Sequence, residues 1–179
     1  MPQTALNPLL FIVTGSQGAG KTTFCTRMVE AAREAGWKTA GLLSRPVFEG
    51  SRRIAIQVED LHTGEFRIMA TRSETPTPGL KHWLFDPAAL LWANTLLASS
   101  TPVDLLIVDE LGPLEFERGE GWQAGFAALD SREFAIAFVV VRAEMLGAAL
   151  SRWPDANVVE IDTPAESSRK AALLAEQLF

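Results

Sequence analysis

The apolar run Leu9-Leu10-Phe11-Ile12-Val13-Thr14 stops at a glycine, and the chain continues Gly15-Ser16-Gln17-Gly18-Ala19-Gly20-Lys21-Thr22. A short, continuous apolar run fits a strand buried on both faces, as in a parallel sheet covered by helices. From Gly20 to Ala35 the pattern turns helical, with Phe24, Met28 and Ala31 or Ala32 three or four apart and Gly36 as a stop. The segment between satisfies G-x-x-x-x-G-K-S/T. Its glycines let the backbone curl until N–H groups converge on phosphate oxygens with no Cβ atoms in the way. The helix behind presents its positive end to the same anion. This strand–loop–helix unit is expected to hold a nucleotide's phosphates. Lys21 would reach the β- and γ-phosphates as a point charge, Thr22 would ligate Mg²⁺, and Thr23 closes the contact set.

A phosphate loop needs a second carboxylate to hold Mg²⁺ through its water shell. Leu105 to Val108 is another buried apolar run, followed directly by Asp109 and Glu110. In open α/β sheets ligands bind outside the carboxyl ends of the strands. Asp109 is therefore expected to serve the metal, and Glu110 to orient or deprotonate an attacking water. The plainer alternatives are a strand-terminal turn residue and a solvated acid. Guanine-reading switches carry N/T-K-x-D, a context that Lys21, Lys38, Lys81 and Lys170 all lack, so a signalling GTPase is disfavoured. Asp-Glu on the strand points instead, by analogy, to the hydrolytic branch with an extra strand between the loop strand and the acidic one. That predicts a sheet order of 5-1-4-3-2.

The remaining pattern supports a layered α/β fold with a mainly parallel sheet. Lys38 to Ser44 reads as a strand. Arg53 to Val58 and Phe66 to Ala70 alternate around the turn-rich DLHTGE and predict an antiparallel hairpin, an insertion at about 46–85 in a single domain spanning 1–179. Residues 71–82 read as loop. Asp86-Pro87 predicts an N-cap with proline at the first helical position, opening a helix to about Ala98 that buries Leu90, Leu91, Leu97 and Trp92. A helix near 120–130 carries Trp122, Phe126 and Leu129 on one face. Strands follow at Ala135–Val141 and Val158–Ile161, and a helix at about 165–178.

Composition narrows the function classes. In 179 residues, 47% are hydrophobic and 21% charged, a globular balance that excludes a disordered tail. Net charge is −6, which disfavours general nucleic-acid binding. The apolar run at Leu9–Val13 is too short for a signal peptide's core, no stretch is long enough to span a bilayer, and the single Cys25 cannot form an internal disulfide. The expectation is a soluble cytoplasmic protein without a membrane role.

At DELGPLEF, residues 109–116, the chain resembles the thermophile-type nucleoside-triphosphatase family, small single-domain P-loop enzymes. The likeness extends to GLLSRPVFEGSRR at 41–53, DLHTGE at 60–65 and WLFDP at 83–87, in the same order along most of the chain. It implies a three-layer P-loop fold and Mg²⁺-dependent cleavage of the γ-phosphate from ATP, GTP and other nucleoside triphosphates with little base preference. Gly15 to Thr22 match the family's phosphate loop, Asp109 and Glu110 its acidic pair, Gly112 its turn and Glu115 its trailing acid. One departure stands out. The family often carries Asn-Arg after its last strand, beside the expected site of the base, where this chain has Asp162, Thr163 and Pro164.

Arg142 is the first polar residue after the strand Phe138–Val141. If that strand lies between the loop strand and the acidic one, Arg142 is a catalytic candidate facing the γ-phosphate. Its alternatives are a surface pair with Glu144 or Asp109, or removal by a helix starting near Ala143. His62 and His82 make no metal site by spacing, and Cys25 reads as a small buried helix residue. Trp92 and Trp122 read as core. Trp83-Leu84-Phe85 either anchors the preceding loop or covers a base, and Arg52-Arg53 reads as a solvated edge that discourages edge pairing. Two rival functions remain: a kinase passing the γ-phosphate to a nucleotide or small molecule, and a nucleotide-dependent module for an unidentified protein partner.

Overall fold

The computed structural model describes residues 7–77 and 81–179. Its first half runs β1 (Leu9–Thr14), α1 (Lys21–Glu34), β2 (Thr39–Glu49), β3 (Arg52–Asp60), β4 (Phe66–Thr77), β5 (Lys81–Phe85) and α2 (Pro87–Ala98). The second half runs β6 (Val103–Leu111), α3 (Pro113–Phe116), α4 (Gln123–Ser131), β7 (Phe134–Val141), α5 (Leu146–Arg152), β8 (Asn157–Glu160) and α6 (Pro164–Leu178). A single 3₁₀ turn, Ala143–Met145, precedes α5.

One eight-stranded sheet has the order β5-β4-β3-β2-β6-β7-β1-β8. Its β8-β1-β7-β6-β2 portion is parallel throughout and reproduces the expected 5-1-4-3-2 order. The continuous apolar runs are explained by burial on both faces, with alternate residues feeding opposite layers. Leu10, Ile12, Leu106, Val108, Ala137 and Val139 pack with α2, α4 and α5. Phe11, Val13, Leu105, Ile107, Phe138 and Val140 pack with α1 and α6. Phe138 sits at the centre of the second layer, stacked on Phe11 at 4.9 Å and met edge-on by Phe24 at 5.6 Å.

The antiparallel part is larger than the expected hairpin. β2 does not stop at Ser44; it continues to Glu49 and pairs with β3, which pairs with β4, which pairs with β5. Residues 71–82, expected as loop, are mostly strand, although 78–80 lie outside the described residues. Pro76 falls where the β4–β5 register breaks between Arg72 and Thr77, a place that tolerates a residue without an N–H.

Helix α2 starts as expected, with the Asp86 carboxylate accepting from Ala88 N and Pro87 at the first turn. Its buried face is Ala89, Ala93 and Leu97. Leu91 is instead 70% exposed, because α2 packs on the sheet from one side only. Trp122 is buried in the core and Trp92 packs against it. No helix among the described residues is long and apolar enough to cross a membrane.

Candidate active site

The phosphate loop connects β1 to α1 at the carboxyl edge of the sheet. Gly15 has φ +137°, and a Cβ there would lie 1.9 Å from the Ile161 carbonyl oxygen. No other residue fits that approach. Gly20 caps α1 in the left-handed region, with no side-chain cap and no acid in the first turn. The first N–H groups of a helix have no intrahelical partner, so the positive end of α1 stays open toward an anion. Ala19 is buried beneath the loop, whereas Ser16, Gln17 and Gly18 are exposed along its rim and Thr23 on the first turn. Behind the loop, Ser167 of α6 donates its hydroxyl to the Gly20 carbonyl at 2.8 Å. Lys21 arches over the cradle and donates to the carbonyls of Gly15 and Ser16, both at 2.8 Å.

Parallel pairing across β7 brings the end of β6 to this loop. Thr22 Oγ1 donates to Asp109 Oδ2 at 3.0 Å, uniting two candidates 87 residues apart in sequence. Ser44, which the sequence did not single out, holds the same carboxylate from the other side. Its N–H donates to Asp109 Oδ2 at 3.1 Å and its hydroxyl to the Asp109 carbonyl at 2.6 Å. The available signal was its place at the end of the strand flanking β6. Asp109 is 1% exposed. Burial, reinforced by the neighbouring Glu110 charge, pushes its carboxyl up to about 7 against the opposing pull of Ser44, Thr22 and Lys21.

Glu110 is the extra residue of a β-bulge, since Asp109 pairs with Val140 and Leu111 with Val141. Bulges re-aim side chains. Here the Glu110 carboxylate accepts from Arg142 Nε at 2.5 Å. Arg142 thus pairs with neither Glu144 nor Asp109, and the turn at Ala143 leaves it on the strand tip as the turn's N-cap. Burial by itself would lower the guanidinium, but the Glu110 charge and hydrogen bond, with Glu144 and Glu115 beyond, hold it above its ordinary value.

The next two family-matched residues shape this corner. Gly112 leaves room for the Arg142 side chain, and its N–H donates to Glu115 Oε2 at 2.8 Å. Glu115 Oε1 accepts from Trp122 N at 3.2 Å. Both oxygens of this buried carboxylate are therefore engaged in folding the 112–122 loop.

Arg52 and Arg53 separate, because neighbours on a strand face opposite ways. Arg52 is exposed, as expected of a solvated edge. Arg53 is half-buried with its guanidinium 5.1 Å from the Trp83 ring centroid, and β3 is an interior strand with partners on both sides. The solvated-edge expectation fails for it. In WLF the anchoring is divided. Phe85 packs against the core, Leu84 is 49% exposed and Trp83 supports Arg53.

The departure after the last strand has a local explanation. Thr163 caps α6 by accepting from Glu166 N at 3.2 Å, Pro164 opens the helix, and Glu166 accepts from Asp162 N at 3.1 Å. Cys25 is fully buried in α1, with its thiol pushed up by burial and the Asp109 charge. His62 is an exposed turn residue, and the side chain of His82 lies outside the described residues.

Residues 10–171 match the family described as NTPase. The nucleoside-triphosphatase THEP1 of Methanopyrus kandleri is 30% identical over 129 residues, 72% of this chain and 71% of that protein. That of Pyrococcus abyssi is 30% identical over 134 residues, covering 72% and 73%. In fold, the chain superposes on a human cancer-related nucleoside triphosphatase with TM-score 0.70 at 21% identity, covering 95% of this chain and 97% of the other. With THEP1 of Aquifex aeolicus the TM-score is 0.66 at 16% identity, covering 95% and 99%. A glycine-lysine loop on β1, an acidic pair on β6 and a family match over nearly the whole chain lead to one assignment: the chain belongs to the NTPase family and is a P-loop nucleoside-triphosphatase.

Proposed function

We propose that the enzyme hydrolyses nucleoside triphosphates to diphosphate and inorganic phosphate in a Mg²⁺-dependent reaction, with little preference among bases. The observation carrying this reading is the 3.0 Å contact between Thr22 of the phosphate loop and Asp109 of the acidic strand. Hydroxyl and carboxylate are the hard oxygen donors that Mg²⁺ takes from proteins that present phosphates to it. The raised Asp109 carboxyl also marks a buried charge short of positive compensation, so the residues fit the ion. Bound there, Mg²⁺ would neutralise charge on the β- and γ-phosphates.

The chain's own groups divide the remaining work. The open N–H groups at the start of α1 hold the phosphate oxygens, and Lys21 leaves the Gly15 and Ser16 carbonyls for the β- and γ-phosphates. Glu110 orients a water in line with the γ-phosphorus. As the water oxygen bonds to that phosphorus, the bond to the β–γ bridging oxygen breaks, and the water's proton passes to Glu110 or to the departing phosphate. Arg142, released from Glu110, offsets charge on the equatorial oxygens. Broad base use is supported by the α6 cap, which engages the Thr163 hydroxyl and the Glu166 carboxylate beside the loop.

Phosphate release from ATP, GTP, CTP, UTP and their diphosphates, with Mg²⁺ or with chelator, tests the reading. Triphosphate rates are expected within about tenfold of one another, a spread that corresponds to no more than ~1.4 kcal/mol of base contact. No release should occur in chelator. A GTP rate far above the rest would point to base recognition by Asp162. Label from γ-labelled ATP appearing on a nucleotide or nucleoside would replace hydrolysis by a kinase reaction.

A further inference from the structure

β2 and β3 project beyond the carboxyl edge of the sheet. Ser44 is level with Asp109 through its hydrogen bonds, yet β2 runs on to Glu49 before β3 returns with Arg53 opposite Phe48. Phe48 is four residues past Ser44, which at ~3.3 Å per residue is an overhang of about 13 Å. The arm thus extends past the end of β6, at the carboxyl edge of the sheet where the phosphate loop also lies.

Arg53 is oriented for work at that place. Its guanidinium lies 5.1 Å from the Trp83 ring centroid, and an aromatic face holds a planar cation without using up its donors. Its Nε is buried with no hydrogen-bond partner among the described residues, and such groups need an explanation in a folded protein. Burial holds its guanidinium below the ordinary value, with the Glu110 and Asp109 charges opposing that and Arg142 adding to it, so it belongs to the same electrostatic cluster. Glu110 is committed to Arg142. That leaves Arg53 with no ion-pair partner of its own among the described residues, attracted by Glu110 and repelled by Arg142. A multiply charged phosphate between the two arginines would satisfy both.

We propose that Arg53 is a second γ-phosphate ligand, supplied in cis by the β2–β3 arm and held against Trp83, so that it and Arg142 bracket the transferring phosphoryl group. The assignment rests on the reading of this site as one that cleaves the terminal phosphate of a nucleoside triphosphate. Arginines so placed contribute mainly as charge builds on the equatorial oxygens, and the planar fork matches two oxygens at once.

The test compares wild type with Arg53→Ala, Arg53→Lys, Trp83→Ala and the neighbouring Arg52→Ala, using the nucleoside triphosphate that the wild type turns over fastest. Measured are steady-state phosphate release, melting temperature, and the affinities for the diphosphate and a β,γ-imido triphosphate. Arg53→Ala should weaken imido-triphosphate binding about tenfold and lower kcat by about 10- to 100-fold, short of the largest arginine effects. Diphosphate affinity and melting temperature should stay at wild-type values. Arg53→Lys should recover part of the loss, Trp83→Ala should fall between, and Arg52→Ala should match wild type. Wild-type kcat and imido-triphosphate affinity in Arg53→Ala would overturn the proposal. So would equal weakening of di- and triphosphate with a lowered melting temperature, or an equal loss in Arg52→Ala. Failure of the wild type itself to release phosphate would overturn the underlying reading of the site, a result distinct from any of these.

Discussion

Arg142 lies across the bare α-carbon of Gly112: a Cβ built on the glycine would stand 3.1 Å from both Cδ and Nε of the arginine. The turn that follows the acidic pair is therefore shaped to the side chain that holds Glu110. A methyl group there must push the arginine aside. Gly112→Ala should lower kcat several-fold without a matching loss of stability, because the obstructed atoms belong to a flexible side chain. Kinetics of Gly112→Ala, Arg142→Ala and the double variant form the check. The double variant should be no slower than Arg142→Ala, since coupled neighbours are not additive.

Arg142→Ala should lower kcat by about tenfold or more with a modest change in KM, a smaller effect than that of fully enclosed arginines. Its side chain is 56% exposed, which limits what one charge can contribute. Arg142→Lys should recover part of the loss if charge suffices, and little if the planar fork is required. Wild-type rates in both variants would leave Arg142 as scaffold.

The strands and the glycine-lysine loop between β1 and α1 were legible in the sequence for two reasons: burial on both faces leaves unbroken apolar runs, and a phosphate-binding loop demands glycines and a lysine in fixed positions. Leu9–Thr14, Gly15–Thr22 and Asp109-Glu110 carry those signals undiluted. The antiparallel arm does not, because strands outside the parallel core need no such runs. Pro76 and the hydroxyls around it looked like loop chemistry, and the irregular β4–β5 register absorbs them. Arg53 was hidden for another reason. Only pairing decides which of two adjacent arginines faces Trp83. Leu91 shows the same limit in a helix, since LLWANTLL is too evenly apolar to reveal which face meets the sheet.

Asp109 gives a pH signature. Its carboxyl stands at about 7 in the fold against an ordinary 3.8, so folding favours the protonated form. That contribution is full below about pH 4 and is lost as pH rises through about 7, on the order of 4 kcal/mol for a shift of this size. Without metal, the melting temperature of the wild type should drop between pH 5 and 8 relative to that of Asp109→Asn, by roughly 5–10 °C for a chain this long. Parallel curves for the two proteins would show that the buried carboxylate costs nothing. Asp109→Asn should also weaken the Mg²⁺ dependence of nucleotide binding.

Hydrolysis by a water held at Glu110 is the central claim, and paired turnover and binding measurements on Glu110→Gln and Lys21→Ala test it most directly. Glu110→Gln should bind Mg²⁺–nucleotide with wild-type affinity and release phosphate at least about 100-fold more slowly, because an amide is a far poorer proton acceptor. Lys21→Ala should nearly abolish release while its circular dichroism matches wild type. Glu110→Gln turning over at the wild-type rate, or Lys21→Ala keeping both activity and nucleotide affinity, would contradict the account.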